Sequence, residues 1–315
     1  MRTQTVAIIG GSGFIGRHVA ELLVQDGCQV RIPTRARERA KDRLIVLPTA
    51  DVIEADVHDD AALAAVLSGC DAVVNAVGIL HERRLGGFVR AHAELPGRVI
   101  AACRAAGVRR FVHISALAAS ADAPSEYLRS KAAGEALVRG ATDIDWTIFR
   151  PSVVFGPDDS FLNLFAQLQA LAPVVFLGSP DARFQPVYVE DVARAIVASL
   201  DLRATFGATL ELGGPEQYTL RELFALVGRI TGHARPVFGL GPALSWLQAF
   251  ALELLPVKLL TRDNVASMKV PNVCEGPFPA VFGFAPTPLE AVAPSWLARR
   301  TPRARYSNYR DLAGR

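Results

Sequence analysis

Within the stretch EYLRSKAAGEAL, residues 126–137, Tyr127 and Lys131 stand four positions apart. On a helix that spacing puts both side chains on one face. A phenol has an ordinary pKa near ~10, and a neighbouring ammonium favours the phenolate, so the pair suits proton exchange with a carbonyl oxygen or a hydroxyl. Only four of the 34 basic residues are lysines. A lysine is also a compact donor to sugar hydroxyls, which the planar arginine matches less well.

A second chemical signal lies near the start of the chain. The segment VAIIGGSGFIGRHVA, residues 6–20, holds two overlapping glycine patterns, Gly11-x-Gly13-x-x-Gly16 and Gly10-x-x-Gly13-x-x-Gly16. Both follow a strand-like run and open a helical one. In that context glycines permit a tight turn and close approach to a pyrophosphate, which rests on the positive end of the helix. Gly10, Gly13, Phe14, Ile15 and Gly16 are thus candidate dinucleotide ligands.

The end of the next strand discriminates between dinucleotides, because an acid there would bind the free ribose hydroxyls of NAD. This chain has PTRARER, with Arg35 in place of the acid and Arg37 and Arg39 close behind. A guanidinium suits a 2′-phosphate, so NADP(H) is favoured over NAD(H); a solvated helix start is the alternative for these arginines. Asp56 could accept from the adenine amino group with Val57 against the ring, although an Asp at a strand end is also an ordinary turn residue. Ala76, Val77 and Gly78 close a later strand on the side where parallel sheets bind ligands. His81 and Glu82, just beyond, could relay a proton but read more simply as a solvated loop.

The elements that must position these residues follow from apolar periodicity. Short apolar runs at 5–10, 29–35, 51–56, 71–78, 109–115 and 145–151 read as strands, and helical patterns separate them. Runs this apolar are buried on both faces, which predicts a doubly wound parallel α/β sheet of Rossmann type covered by helices. Helical patterns at 186–200 and 219–232 are the clearest features after Pro151. The expected organisation is a dinucleotide-binding domain over 1–155, with 186–212 returning to it, and a smaller, mostly helical substrate-side region over 156–315.

Composition excludes several classes. Of 315 residues, 50% are hydrophobic and 21% charged, as in a folded globular chain. The net charge of +3 is small and the basic residues are scattered, which gives nucleic-acid binding little support. Cys28, Cys70, Cys103 and Cys274 are widely spaced, so neither a disulfide framework nor a metal site is expected, and a reducing, cytoplasmic setting fits. The start MRTQTVAIIGG lacks the pattern of a signal peptide. The apolar stretch Leu240–Leu260 is interrupted by Pro242, Glu253, Pro256 and Lys258, which argues against a membrane span. Its stripe of Leu244, Leu247, Phe250, Ala251 and Leu254, with Trp246 beside it, predicts core packing, with membrane-surface contact as the alternative. The basic run Arg299–Arg310 reads as a solvated tail, or as contact with an anionic surface.

Taken in order, GGSGFIGRHVA, ADVHD, VVNAVGIL, FVHISAL, YLRSK, FRPSVVFGP, PVYVEDVARAI and LELGGPEQYTLREL resemble an extended or atypical short-chain dehydrogenase/reductase of the NAD-dependent epimerase/dehydratase kind. The segments FRPSVVFGPDDSFLNLF, ARFQPVYVEDVA, LTRDNV and PTPLEAVAPSWL are most similar to bacterial relatives of alpha-subcomplex subunit 9 of respiratory NADH:ubiquinone oxidoreductase, complex I. The resemblance implies that Gly10, Gly13 and Gly16 hold the pyrophosphate, Arg35 the adenosine phosphate, and Asp56 and Val57 the adenine. It implies Tyr127 as acid/base, Lys131 as its helper and ribose ligand, and Pro151, Ser152 and Val153 beside the nicotinamide. It also implies two rival functions: an oxidoreductase or epimerase-like enzyme acting on a carbonyl/alcohol of unknown identity, or a redox-silent NADPH-binding accessory or assembly factor for complex I or quinone biosynthesis; peripheral attachment at the inner face of a membrane, through the region around Trp246 to Leu255 and the basic tail, is a third possibility read from the residues. One departure separates the two rival functions. Active members carry a Ser or Thr about two residues past the fifth strand, where this chain has Ala116 and Leu117; Ser115 or Ser120 would have to substitute. Loss of one such donor costs on the order of two powers of ten in rate.

Overall fold

The computed structural model describes residues 3–82, 85–254 and 259–298, with the side chains of 41–43 outside that description. The basic run Arg299–Arg310 and the Leu255–Lys258 part of the apolar stretch lie outside it as well.

In chain order the first elements are β1 (Thr5–Ile9), α1 (Phe14–Gln25), β2 (Gln29–Thr34), α2 (Arg37–Leu44), β3 (Ala50–Glu54), α3 (Asp60–Leu67) and β4 (Ala72–Asn75). A short α4 (Gly87–Val89) runs through a π-helical segment, Arg90–Glu94, into α5 (Leu95–Ala106); β5 (Arg110–Ile114), α6 (Glu126–Arg139) and β6 (Asp145–Pro151) follow. Next come β7 (Val154–Phe155), α7 (Leu162–Leu171), β8 (Val175–Gly178), β9 (Arg183–Phe184), β10 (Val187–Tyr188), α8 (Val189–Asp201) and β11 (Ala208–Leu212). The last are β12 (Tyr218–Thr219), α9 (Leu220–Thr231), β13 (Val237–Leu240), α10 (Pro242–Glu253), α11 (Arg262–Ser267), α12 (Leu289–Val292) and α13 (Pro294–Leu297).

Two compact units result. One runs to Pro151 and takes in Val189–Leu212 and Pro279–Phe284; the other comprises Ser152–Tyr188, Gly213–Phe278 and the described residues from Ala285.

In the first unit seven strands form one parallel sheet in the order β11-β6-β5-β4-β1-β2-β3. The sheet is the doubly wound arrangement that the apolar runs predict. Strands β4 and β5 are buried along their whole length, because α1 and α8 pack on one another and α3, α5 and α6 form a second helical layer. The chain direction of winding reverses between β1 and β4, and the crevice beyond their carboxyl ends is where such sheets bind ligands.

Local chemistry sets the helix starts. Asp59 caps α3 through the amides of Ala61 and Ala62, and Ser125 caps α6 by accepting from Leu128 N–H. The second cap fixes where the turn carrying Tyr127 begins.

The second unit has its own core, in which α7 packs on α9 and Phe165 lies 5.3 Å from Phe224 ring to ring. Three two-stranded pairings, β7 with β10, β8 with β13 and β9 with β12, join its helices. The helical pattern at 186–200 is corrected here: Val187 and Tyr188 pair with β7, and the helix starts at Val189. Core packing of the Leu240–Leu260 stripe is also corrected. Helix α10 turns its small residues Ser245 and Ala249 inward and leaves Leu244, Trp246, Leu247, Phe250 and Leu254 outside, with Ser245 close against Gly178 and accepting from Ser179 N–H.

Candidate functional site

The glycine turn is built as its spacing requires. Gly10 follows β1 at φ 84°, a left-handed conformation, and a Cβ there would stand 3.0 Å from the carbonyl carbon of Ala76 and the nitrogen of Val77. A Cβ on Gly16 would overlap the Gly10 carbonyl oxygen. Gly13 caps α1 without a side chain, and no acidic residue occupies its first turn. The amides of Phe14, Ile15 and Gly16 therefore head an uncapped helix start, the arrangement that accepts a phosphate.

Ala76, Val77 and Gly78 lie directly across the switch point. Ala76 N–H donates to Ile9 O at 2.8 Å, and Asn75 Oδ1 accepts from Val77 N–H at 3.2 Å. This orients the rest of Asn75: its Nδ2 faces His113 Nδ1 at 3.2 Å and donates to it, so His113 carries its proton on Nε2, which has no partner among the described residues. Burial holds His113 down at about 3, with the Lys131 charge adding to it.

Lys131 extends from α6 into the same region. It is only 3% exposed, donates to Ile114 O at 3.1 Å, and its Nζ would lie 3.4 Å from a Cβ placed on Gly78. An ammonium has three donors. Burial lowers its pKa to about 8, partly offset by Glu135.

Tyr127, half-buried one turn earlier, is held by rings. Its ring centroid lies 5.4 Å from that of His92 and 6.0 Å from that of Phe88, both edge-on, and Phe88 stacks on His92 at 5.6 Å. The expectation that Lys131 draws the phenol pKa down is corrected: burial pushes it up to about 12 while the ammonium engages the Ile114 carbonyl.

His92 is the residue that sequence reading missed. It sits in the π-helical segment, a distortion common at functional sites. Its Nε2 accepts from Ile79 N–H at 3.0 Å and its Nδ1 meets Ser130 Oγ at 2.9 Å. The Ser130 hydroxyl donates to Tyr127 O at 2.7 Å, so His92 Nδ1 carries the proton. Burial lowers its pKa to about 2. His92 thereby ties the turn after β4 to α6 between Tyr127 and Lys131. The close approach needs Gly134, where a Cβ would overlap the His92 carbonyl oxygen. His92 stands between Arg90 and Glu94 with no motif around it, so the sequence carried no signal for it.

The loop after β5 answers the question of the missing hydroxyl. Leu117 is buried, with its N–H on Pro151 O at 3.1 Å, and Ala118 adopts φ 60°, uncommon for alanine. Arg150, paired with buried Glu135, donates to Ala119 O and holds the loop further. Ser120 is exposed and accepts from Asp122 N–H. Ser115 is buried, and its Oγ has no partner among the described residues. It follows Ile114, whose carbonyl receives Lys131.

The remaining candidates are less tightly gathered. Arg35 is exposed just past β2, and Asp56 lies beyond the end of β3, accepting from His58 N–H, with Val57 packed at the edge of the core. His58 is held below its ordinary pKa by burial first and then by Arg90, with Arg98 and Arg35 adding, so these three guanidiniums share one field. Pro151 ends β6, whereas Ser152 and Val153 begin the other unit, where both bond to Asn272 Oδ1. Glu82, read as solvated, accepts from Phe88 N–H at 2.6 Å. The dinucleotide fits these residues: the start of α1 presents amides that no side chain caps, and among the described residues Lys131 has one acceptor and Ser115 Oγ none.

Comparison with known proteins agrees. The NAD-dependent epimerase/dehydratase family matches residues 6–213. Alpha subcomplex subunit 9 of mitochondrial NADH dehydrogenase (ubiquinone) from Mus musculus is 34% identical over 295 residues, 90% of this chain and 77% of that protein. Ceramide reductase of Caulobacter vibrioides is 37% identical over 194 residues, 61% of this chain and 60% of that protein. A nucleoside-diphosphate-sugar epimerase from Staphylococcus aureus shares the fold, with TM-score 0.72 at 18% identity, covering 91% of this chain and 98% of that one. The chain therefore belongs to the NAD-dependent epimerase/dehydratase family of extended short-chain dehydrogenases/reductases.

Proposed function

We propose that this protein is an NADP(H)-dependent reductase of a carbonyl substrate, with Tyr127 as the proton donor. The observation that carries this reading is Lys131: a buried ammonium with one protein acceptor, Ile114 O, on the helix face that also bears Tyr127. Its two other donors are suited to ribose hydroxyls. Arg35, exposed just past β2, would hold a 2′-phosphate, and the amides of Phe14, Ile15 and Gly16 the pyrophosphate. When bound, the nicotinamide supplies the hydride that reduces the carbonyl carbon. Tyr127 gives its phenolic proton to the carbonyl oxygen, leaving an alcohol and a phenolate that recovers its proton from solvent.

Tyr127 is protonated at neutral pH, as a proton donor must be. Lys131, near 8, is mostly charged at pH 7. Ser115 Oγ would supply the hydrogen bond that position 117 lacks. That relatives include a ceramide reductase agrees with a carbonyl/alcohol reaction.

A second reading, a redox-silent NADPH-binding protein associated with a respiratory complex, is favoured by Leu117 and by relatives named for an NADH dehydrogenase subunit. Calorimetric titration with NADPH and NADH, followed by absorbance assays against quinones, isoprenoid ketones, long-chain ketones and nucleotide sugars, separates the two. Tight NADPH binding with turnover that Tyr127→Phe abolishes supports the reductase. Tight binding with no oxidation by any of these supports the second reading, and failure to bind either dinucleotide sinks both.

A further inference from the structure

Helix α6 carries Tyr127 and Lys131, and one side chain from outside it joins that helix to the turn after β4. The side chain is His92, 1% exposed, in the π-helical segment. Its ring uses both nitrogens. Nε2 accepts from Ile79 N–H at 3.0 Å, and Nδ1–H donates at 2.9 Å to the hydroxyl of Ser130, which stands on α6 between the two site residues. That hydroxyl passes the contact on to Tyr127 O at 2.7 Å. Only one neutral tautomer satisfies both ends, so the ring is a spacer of fixed length between two stretches of backbone.

Three further contacts stiffen the spacer. The His92 ring meets the Tyr127 ring edge-on at 5.4 Å and stacks on Phe88 at 5.6 Å. Phe88 is fixed in turn by its N–H, which donates to Glu82 Oε1 at 2.6 Å. Behind the ring, the His92 carbonyl oxygen lies where a Cβ on Gly134 would overlap it, so the backbone of the π-helical segment rests directly on α6. Packing alone would be served at lower cost by an apolar ring, because a buried imidazole gives up its hydration. What the two hydrogen bonds add is a defined separation.

The separation matters because of what stands at each end. Ile79 follows Gly78, where a Cβ would stand 3.4 Å from Lys131 Nζ, at the crevice in which such sheets bind ligands. We propose that His92 is a positioning residue for the reduction: through Ile79 and Ser130 it sets the distance between the turn at Gly78, against which the cofactor would lie, and the Tyr127 phenol that gives the proton. The proposal rests on the reductase reading above.

Three variants of the full chain test it. His92→Phe keeps a ring and removes both hydrogen bonds, Ser130→Ala cuts only the α6 end, and the double variant takes nothing further from the spacer. Without cofactor, amide hydrogen exchange at Ile79 is expected to quicken roughly tenfold or more in His92→Phe and less in Ser130→Ala. With NADPH and the fastest-reduced compound among quinones, isoprenoid ketones, long-chain ketones and nucleotide sugars, kcat is expected to fall roughly 10- to 100-fold in His92→Phe. The calorimetric NADPH stoichiometry should stay unchanged and Kd within about threefold, and the double variant should be no slower than His92→Phe alone. Unchanged exchange at Ile79, unchanged kcat, or kcat and binding stoichiometry falling together overturns the proposal. If the unsubstituted protein reduces none of these compounds, the reductase reading fails instead, and exchange alone decides the spacer: faster exchange at Ile79 in His92→Phe upholds it, and equal exchange removes it.

Discussion

The Lys131 region of the first unit and the α10 face of the second depart from ordinary residue partition in opposite directions. Around Lys131, polar and ionisable groups are buried: Lys131, His92, His113 and Ser115. On α10, large apolar groups are exposed where small ones are buried. Each arrangement is unfavourable for an isolated chain in water, the first through desolvation and the second through hydration of apolar surface. Among the described residues neither is fully compensated inside its own unit: His92 has partners for both nitrogens, but His113 Nε2 and Ser115 Oγ have none. Lys131 has one acceptor for three donors, and the α10 side chains have each other and Arg262. A feature that costs stability without internal compensation points to a ligand that completes it. The two regions differ in what would complete them: directional acceptors in one, apolar contact without direction in the other.

The comparison can be broken most forcefully at Tyr127. If the buried polar region is a reaction site, Tyr127→Phe lowers turnover by roughly 10²–10⁴-fold while NADPH affinity stays within error in calorimetry. A parallel fall in both would instead make Tyr127 a structural member of the His92 and Phe88 ring cluster.

Acid titration sharpens the comparison next. His92 and His113 have folded pKa values of about 2 and about 3, below the ordinary 6.5. The unfolded chain therefore binds more protons below pH 6.5, and stability falls as pH drops from there toward 3. Two such groups give a slope of up to about 2.7 kcal/mol per pH unit. Urea denaturation at stepped pH should show it, and His92→Asn should remove about half.

Gly134→Ala tests the close approach of α6 to the π-helical segment. The overlap with His92 O is expected to destabilise the protein by about 1–3 kcal/mol and to weaken NADPH binding, because Lys131 moves with the helix. Lys131→Met is gentler on the fold. Replacing a buried ammonium raises the melting temperature by roughly 2 °C, yet lowers NADPH affinity about tenfold or more through the loss of two charge-assisted donors. A lowered melting temperature with unchanged affinity would make Lys131 structural.

The smallest effects belong to α10. Leu247→Gln should change stability by no more than about 0.5 kcal/mol, whereas Ala249→Leu, on the inward side of the same helix, should cost about 1–3 kcal/mol. Equal effects would mean that the helix is turned the other way in solution.

Several features were legible before any tertiary structure. The glycine spacing at 10–16, the parallel α/β alternation and the shared face of Tyr127 and Lys131 depend on local geometry: a turn that excludes Cβ atoms, strand and helix periods, and one helical repeat. These were open to reading because neighbours in sequence decide them. Long-range packing decided the rest. The tautomer and linking role of His92 depend on Ile79 and Ser130, 13 and 38 residues away. The upward shift of Tyr127 comes from burial, which no i, i+4 pattern reveals. The outward stripe of α10 was set in part by Gly178 and Ser179, more than 60 residues earlier, against which Ser245 and Gln248 pack. A hydrophobic period states that a helix has two faces; only the surface it meets decides which one is buried.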